Sequence, residues 1–152
     1  IRFLGVVEYE RVAMVAVRTL RFLTNHRFGP VDLEPSDVDE RLVAAWTDWW
    51  NSNERAPRQR WLLAGFQQAG YPIESLSLDA VWPLCRAVAD FDYLSYNAQR
   101  TLMELSGRQP ASLSWPKHDA NFYWRRWFER RWRRLGAPPM PEELTTLADD
   151  AE

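Results

Sequence analysis

The stretch Val17-Arg18-Thr19-Leu20-Arg21-Phe22-Leu23-Thr24-Asn25 returns 82 residues later as Gln99-Arg100-Thr101-Leu102-Met103-Glu104-Leu105-Ser106-Gly107. Arg, Thr, Leu and Leu coincide, and each stretch closes on a hydroxyl residue followed by Asn or Gly, the two residue types that most readily take the left-handed backbone that ends a helix. Behind each comes an irregular loop and then an aromatic segment. Trp46-x-x-Trp49-Trp50 matches Trp124-x-x-Trp127-Phe128 at an offset of 78, because the second loop is four residues shorter. A shared order of helix, loop and aromatic helix marks an internal repeat and sets the architecture to expect.

Working outward, Glu8 to Thr24 carries Val12, Val15, Ala16, Thr19, Leu20 and Leu23 at three- and four-residue spacing, which predicts an amphipathic helix with this stripe toward the core and Asn25 as its stop. Pro35-Ser36-Asp37 reads as the next helix start, with Ser36 as N-cap and Asp37, Asp39 and Glu40 in the first turn. That helix holds Leu42, Val43, Trp46, Trp49 and Trp50. A third helix is expected over 55–69, closed by Gly70-Tyr71-Pro72. A fourth is expected over 75–89, where Pro83 forces either a kink or a later start. Tyr93–Ser106 and 118–135 complete six or seven helices. No stretch alternates apolar and polar residues as a half-buried strand would, so the expected class is all-α, with Leu20, Leu23, Val81, Ala98, Leu102 and Leu105 in its core. Arg18 and Arg100, equivalent in the repeat, are expected to play one structural part, each pairing with a carboxylate or carbonyl of a neighbouring helix.

These residues resemble HEAT-repeat-like bacterial proteins of the armadillo-type α-solenoid class. Their inner helix runs R-x-x-A-x-x-x-L-x-x-L-[TS]-G and is followed by a loop and a W-x-x-W-W helix. The matching positions are Ala13/Ala16, Leu20 and Leu23-Thr24-Asn25 in the first copy, and Ala98, Leu102 and Leu105-Ser106-Gly107 in the second. The resemblance covers about residues 8–134. Asn25 stands where Gly is usual, Pro83 lies inside the would-be outer helix of the second copy, and the first copy lacks most of its own. The resemblance implies antiparallel helix pairs stacked as a short solenoid over 1–136, with copies at about 8–52 and 90–134, linking helices at 55–89 and an acidic C-terminal tail at 137–152. It implies no catalytic residue.

Composition narrows function mainly by exclusion. The chain has 152 residues, nine of them Trp, and Lys117 is its only Lys among 19 basic residues. The Arg bias is what a GC-rich genome produces, or what selection for planar forks that stack on rings would leave. A formal charge of −2 gives no global field to attract nucleic acid or an anionic membrane. No apolar run approaches the roughly 20 residues of a membrane-spanning helix, so a soluble chain is expected. The lone Cys85 excludes an intrachain disulfide and a cysteine-built metal cage, and leaves the redox compartment, cytoplasmic or exported, open. The chain opens on Ile1 in place of Met, the pattern expected after processing or behind a leader.

For catalysis the inventory is thin. His26 and His118 stand apart from any H-x-x-x-H arrangement, no glycine-rich phosphate loop or G-x-S-x-G occurs, and Cys85 lies on an apolar helical face. No enzyme, metal or cofactor is expected. Trp46, Trp49 and Trp50 either fill the groove beside the long loop or form an aromatic platform, and the same choice applies to Trp124, Trp127 and Phe128. Trp61 and Trp82 read as core, and Trp115, between Ser114 and Pro116, as exposed. The clearest charge signal is Trp124–Arg134, six Arg against one Glu. It reads as solvated Arg paired with Glu142 and Glu143, as a docking site for an acidic protein, or as a contact for nucleic-acid backbone or anionic lipid. The expected function is therefore a non-catalytic scaffold or assembly subunit that binds another protein, with Trp115, Arg125, Arg126, Arg130, Arg131, Trp132, Arg133 and Arg134 as candidate partner-binding residues. The alternative is a nucleic-acid-binding helical-repeat domain using the helix 124–134.

Overall fold

A computed structural model describes residues 2–90, 92–108 and 116–145, with the side chains of 2–11, 117, 118 and 145 outside that description. Among the described residues eight α-helices run in the order α1 Arg2–Thr24, α2 Glu40–Asn53, α3 Arg58–Gln68, α4 Val81–Ala87, α5 Asp92–Ser106, α6 Lys117–Glu129, α7 Trp132–Leu135 and α8 Glu142–Thr145. Single 3₁₀ turns precede α2 and α4, and no strand occurs among the described residues. The chain divides into two compact units, Ile1–Gly70 and Tyr71–Glu152.

In the first unit α1 stops where its chemistry says it should. Asn25 has φ +65 and its N–H closes the last turn on Arg21 O at 2.8 Å. Its buried side chain donates to Leu62 O on α3 at 3.0 Å, a bond glycine could not make. The two backbones approach so closely here that a Cβ on Gly65 would lie 2.3 Å from Asn25 O, which restricts the position to glycine. The start of α2 differs from the expectation at Ser36. Pro35–Asp37 forms its own 3₁₀ turn, fastened by Asp37 accepting from Glu34 N, and Asp39 caps α2 by accepting from Leu42 N at 2.9 Å. A carboxylate one bond from Cβ at the N-cap reaches the amide three residues on, whereas Ser36 is committed to the preceding turn.

The facing of α1 is a larger correction. Val17, Leu33, Leu42 and Trp46 form the core of this unit, with Met14, Leu20, Phe28, Val38 and Trp49 packed against it. Val12, Val15, Ala16, Thr19 and Leu23, expected inside, are exposed; Val12 is 68% and Leu23 50% accessible. The helix turns instead on Arg21. That residue is buried, and its guanidinium donates to the carbonyls of Phe28, Pro30 and Val31 at 2.6–2.9 Å, which tie the loop 28–31 to the α1 face carrying Met14, Val17 and Thr24. Among the described residues neither Arg18, exposed, nor Arg100, half-buried, makes the expected pairing.

In the second unit Pro83 falls in the first turn of α4, where its absent N–H leaves no helical bond unmade, so the helix starts late and does not kink. Val81, Leu84, Cys85, Val88, Leu94, Ala98, Leu102, Ala120, Trp124 and Phe128 are fully buried, and Leu105 is half-buried. Gly107, φ +65, ends α5 as Asn25 ends α1. The expected helix 118–135 is broken into α6 and α7 at Arg130-Arg131, and Gly136, φ +75, closes α7. Ala137 and Leu144 are buried, and Trp82 Nε1 donates to Pro138 O at 2.9 Å, which fastens the chain after α7 into the unit. No described helix is long and apolar enough to cross a membrane.

Candidate interaction face on α6 and α7

Helix α6 turns Ala120, Trp124, Trp127 and Phe128 inward and leaves Phe122, Arg126 and Glu129 outside. The inner aromatics interlock: Trp124 and Trp127 meet edge-on with centroids 6.4 Å apart at 75°, and Trp127 and Phe128 at 4.8 Å and 82°. The aromatic run of the second copy is therefore core, and not a platform. In the first copy, Trp46 and Trp49 adopt nearly the same geometry, 6.0 Å and 77°. Trp82 is buried as expected, while Trp61 is half-buried, its ring against Trp49 and Trp50 and its Nε1 donating to Asn53 O.

The arginines of this segment divide into three groups. Arg125 is turned inward and donates to Leu144 O on α8, so it is occupied within the chain. Arg126 and Arg131 are outside and pre-oriented on rings. The Arg126 guanidinium lies 5.3 Å from the Phe122 centroid and 3.7 Å from Glu129, and Arg131 lies 4.9 Å from the Trp127 centroid while donating to Trp127 O at 3.4 Å. A cation over a ring face gains about 0.5–1 kcal/mol at an exposed site and loses conformational freedom in doing so. Arg130 and Arg134 are exposed, and so is Arg133, which covers Trp132 at 5.0 Å.

Arg108, Phe122, Tyr123, Arg126, Trp127, Arg130 and Arg131 line one open depression of about 470 Å³. Four of these lining residues are arginines and none is a carboxylate, although Arg126 is paired with the flanking Glu129. The depression thus brings together Arg126, Arg130 and Arg131 of the residues singled out in the sequence. It leaves Arg125, Trp132, Arg133 and Arg134 out of its lining, and Trp115 lies outside the described residues. Arg108 is the addition that reading α6 alone misses; it follows the left-handed Gly107 and enters the depression from the end of α5.

Aligned on the Trp pairs, the first copy has Asp48, Ser52 and Asn53 at the places of Arg126, Arg130 and Arg131, and on the Thr-Leu stretches it has His26 at the place of Arg108. Four positions that are cationic in one copy are acidic, neutral or buried in the other. Helix-pair packing therefore makes no demand for charge at these places.

On the other side of α6, Tyr71, Arg86, Ala89, Asp90, Asn121, Arg125 and Leu144 line a second depression of about 460 Å³. The side chains of Tyr71, Asp90, Asn121 and Arg125 are engaged within the chain. Tyr71 Oη donates to Asp90 at 2.7 Å, and burial together with that carboxylate pushes the phenol well above its ordinary range; Asn121 donates to Cys85 O. Burial also drives the Cys85 thiol up, which leaves it protonated and unreactive at neutral pH. Among the described residues no three His, Cys, Asp or Glu side chains are grouped to hold a metal ion. Comparison with protein-family models, curated proteins and solved structures found no match.

Proposed function

We propose that this chain is a non-catalytic scaffold or assembly subunit of HEAT-like helix pairs, and that the α6–α7 face docks an acidic segment of a partner protein. The observation that carries this reading is that Arg108, Arg126, Arg130 and Arg131 line one depression whose lining holds no carboxylate, with only Arg126 paired, to the flanking Glu129, at places where the first copy has His, Asp, Ser and Asn. Guanidiniums held on aromatic faces suit carboxylates, which accept their paired N–H groups bidentately, and Phe122, Tyr123 and Trp127 offer apolar surface beside them. The solenoid part of the proposal is supported by the two Trp helices, equal in internal geometry, each following an inner helix closed by a left-handed residue. Stacked pairs present extended surfaces, and binding is their general use.

The Arg–aromatic interleaving also favours a second reading, contact with nucleic-acid phosphates and bases. Salt separates the two. Four phosphate contacts would give log affinity against log salt a slope of about −3.6, whereas a peptide seated on rings holds much of its affinity as salt rises. A labelled Glu/Asp-rich peptide bearing one Trp, and random-sequence duplex DNA, are titrated at low and moderate salt into the native chain and into R126D/R130S/R131N. This variant carries the residues of the first copy and is expected to fold. The expected result is peptide binding that persists at moderate salt and is lost in the variant. Salt-steep DNA binding lost in the variant, or binding of neither probe, defeats the proposal.

A further inference from the structure

The depression lined by Arg108, Arg126, Arg130 and Arg131 keeps a surplus of charge after its own surroundings are taken into account. Glu129 offsets one of these arginines through Arg126. Two helix C-termini border the lining as well: α5 ends at Ser106, shortly before Arg108, and α6 ends at Glu129, immediately before Arg130. Each terminus carries about half a negative charge, so about two positive charges stay unmatched. Between Glu104 and Asp119 the sequence holds no acidic residue to offset them. Among the described residues Arg108 and Arg130 have no side-chain partner, and the contacts of Arg126 with Glu129 and of Arg131 with Trp127 O are long, 3.7 and 3.4 Å. Trp127 lines the same depression, is 9% accessible, and its indole N–H has no acceptor among the described residues. Polar groups of a folded chain are seldom left unpaired out of reach of water, so unused donors gathered at one place point to an acceptor that comes from outside.

We propose that this acceptor is the phosphate of a phosphorylated serine or threonine in the partner protein, with Arg108 and Arg130 as the residues that tell phosphate from carboxylate; the inference rests on the reading of this face as the docking site for an acidic segment. A phosphate monoester carries about −1.5 to −2 charge at neutral pH on three acceptor oxygens, which matches the surplus with one side chain. A carboxylate brings a single charge and leaves about half of the surplus unmatched. Two carboxylates match it only by ordering a second side chain, a loss of conformational freedom that one phosphate avoids. Geometry favours the same group. A carboxylate has one pair of oxygens to set against a guanidinium fork, whereas the three oxygens of a phosphate form several pairs and take forks from α6 and from the end of α5 together. The first copy, with His26, Asp48, Ser52 and Asn53 at these places, has no such surplus.

Three labelled peptides of one acidic sequence bearing one Trp, with Ser, Glu or phosphoserine at the central position, test this by titration into the native chain and into R108Q/R130Q. Both substituted positions are exposed, so the variant keeps its fold, checked by circular dichroism. The phosphoserine peptide is expected to bind about tenfold tighter than the Glu peptide, the effect of one or two added charge-assisted hydrogen bonds. In R108Q/R130Q that preference should fall to about twofold, while the Glu peptide, still served by Arg126 and Arg131, loses about threefold or less. Equal affinity of the phosphoserine and Glu peptides for the native chain overturns the inference and leaves the acidic docking face standing, whereas binding of none of the three peptides defeats both. A preference that survives in R108Q/R130Q places the phosphate elsewhere and overturns it equally. Displacement of the phosphoserine peptide by inorganic phosphate at about 1 mM marks a site for the free anion, and displacement by random-sequence duplex DNA at moderate salt marks a nucleic-acid face; either overturns the inference.

Discussion

Trp46-Trp49-Trp50 of α2 and Trp124-Trp127-Phe128 of α6 begin from the same pattern and end in different surroundings. The first two rings of each set meet edge-on at nearly equal distance and angle, but the third diverges: Phe128 is fully buried while Trp50 is 44% accessible. The loops ahead of them diverge too. In the first unit Arg21 fastens the loop to the end of α1 through three carbonyls, and in the second the same place is Met103, which has no donor to offer. The residue after each helix stop follows suit. His26 is buried beside Trp49, with ring centroids 5.0 Å apart, and Arg108 stands in an open depression beside Trp127. One supersecondary pattern has thus been used once to hold a long loop in place and once to present cations. The difference lies in side chains that the helix pair itself does not constrain.

Three measurements would break or sharpen this comparison. The largest effect is expected where the third aromatic differs. Phe128→Ala should cost about 3–5 kcal/mol in urea unfolding, the range for deleting a buried aromatic, while Trp50→Ala should cost about 1 kcal/mol or less. Equal losses would mean that the two helices are seated alike in solution. The intermediate effect is at Arg21. Arg21→Met, which installs the residue of the second copy, leaves three carbonyls without their charged donor and should cost about 2–3 kcal/mol. Hydrogen exchange should show faster amide turnover through the loop 26–38 and unchanged protection in α5 and α6; a loss spread evenly over both units would contradict the local role of the guanidinium.

The smallest effect belongs to His26. Burial lowers its pKa below the ordinary 6.5, outweighing the opposing hydrogen bond with Gln68, so the unfolded chain binds the proton more readily than the folded one. Its contribution is therefore complete above pH 6.5 and is lost as pH falls through the lower, folded value. The expected result is a decline in stability below pH 6.5 that His26→Gln flattens. A pH profile identical in native and His26→Gln chains would remove His26 from the account.

Local chemistry made much of this molecule legible in advance. The helix ends at Asn25, Gly107 and Gly136 were readable because a left-handed backbone selects Asn or Gly whatever surrounds it. The all-α class was readable because three- and four-residue periodicity survives any arrangement of the helices, and the shared facing of Trp46 and Trp49, and of Trp124 and Trp127, was readable from spacing along one helix. Most of the α6–α7 arginines were visible as a charge excess for the same reason.

What the sequence could not decide is what touches what. Val12, Val15, Ala16, Thr19 and Leu23 make as good a core stripe as Leu94, Ala98 and Thr101, and what tells them apart is the neighbour packed on α5, which has no equivalent on α1 among the described residues. Arg125 and Arg126 are adjacent in sequence, yet one is fastened to Leu144 and the other faces solvent, because a 100° turn separates them and only one side meets α8. Arg108 joined the depression from the end of α5, a distant part of the chain. Periodicity and capping depend on a few neighbouring residues, so sequence alone determines them. Burial, pairing and the assembly of a binding face depend on residues brought together from far along the chain, and those the tertiary structure decides.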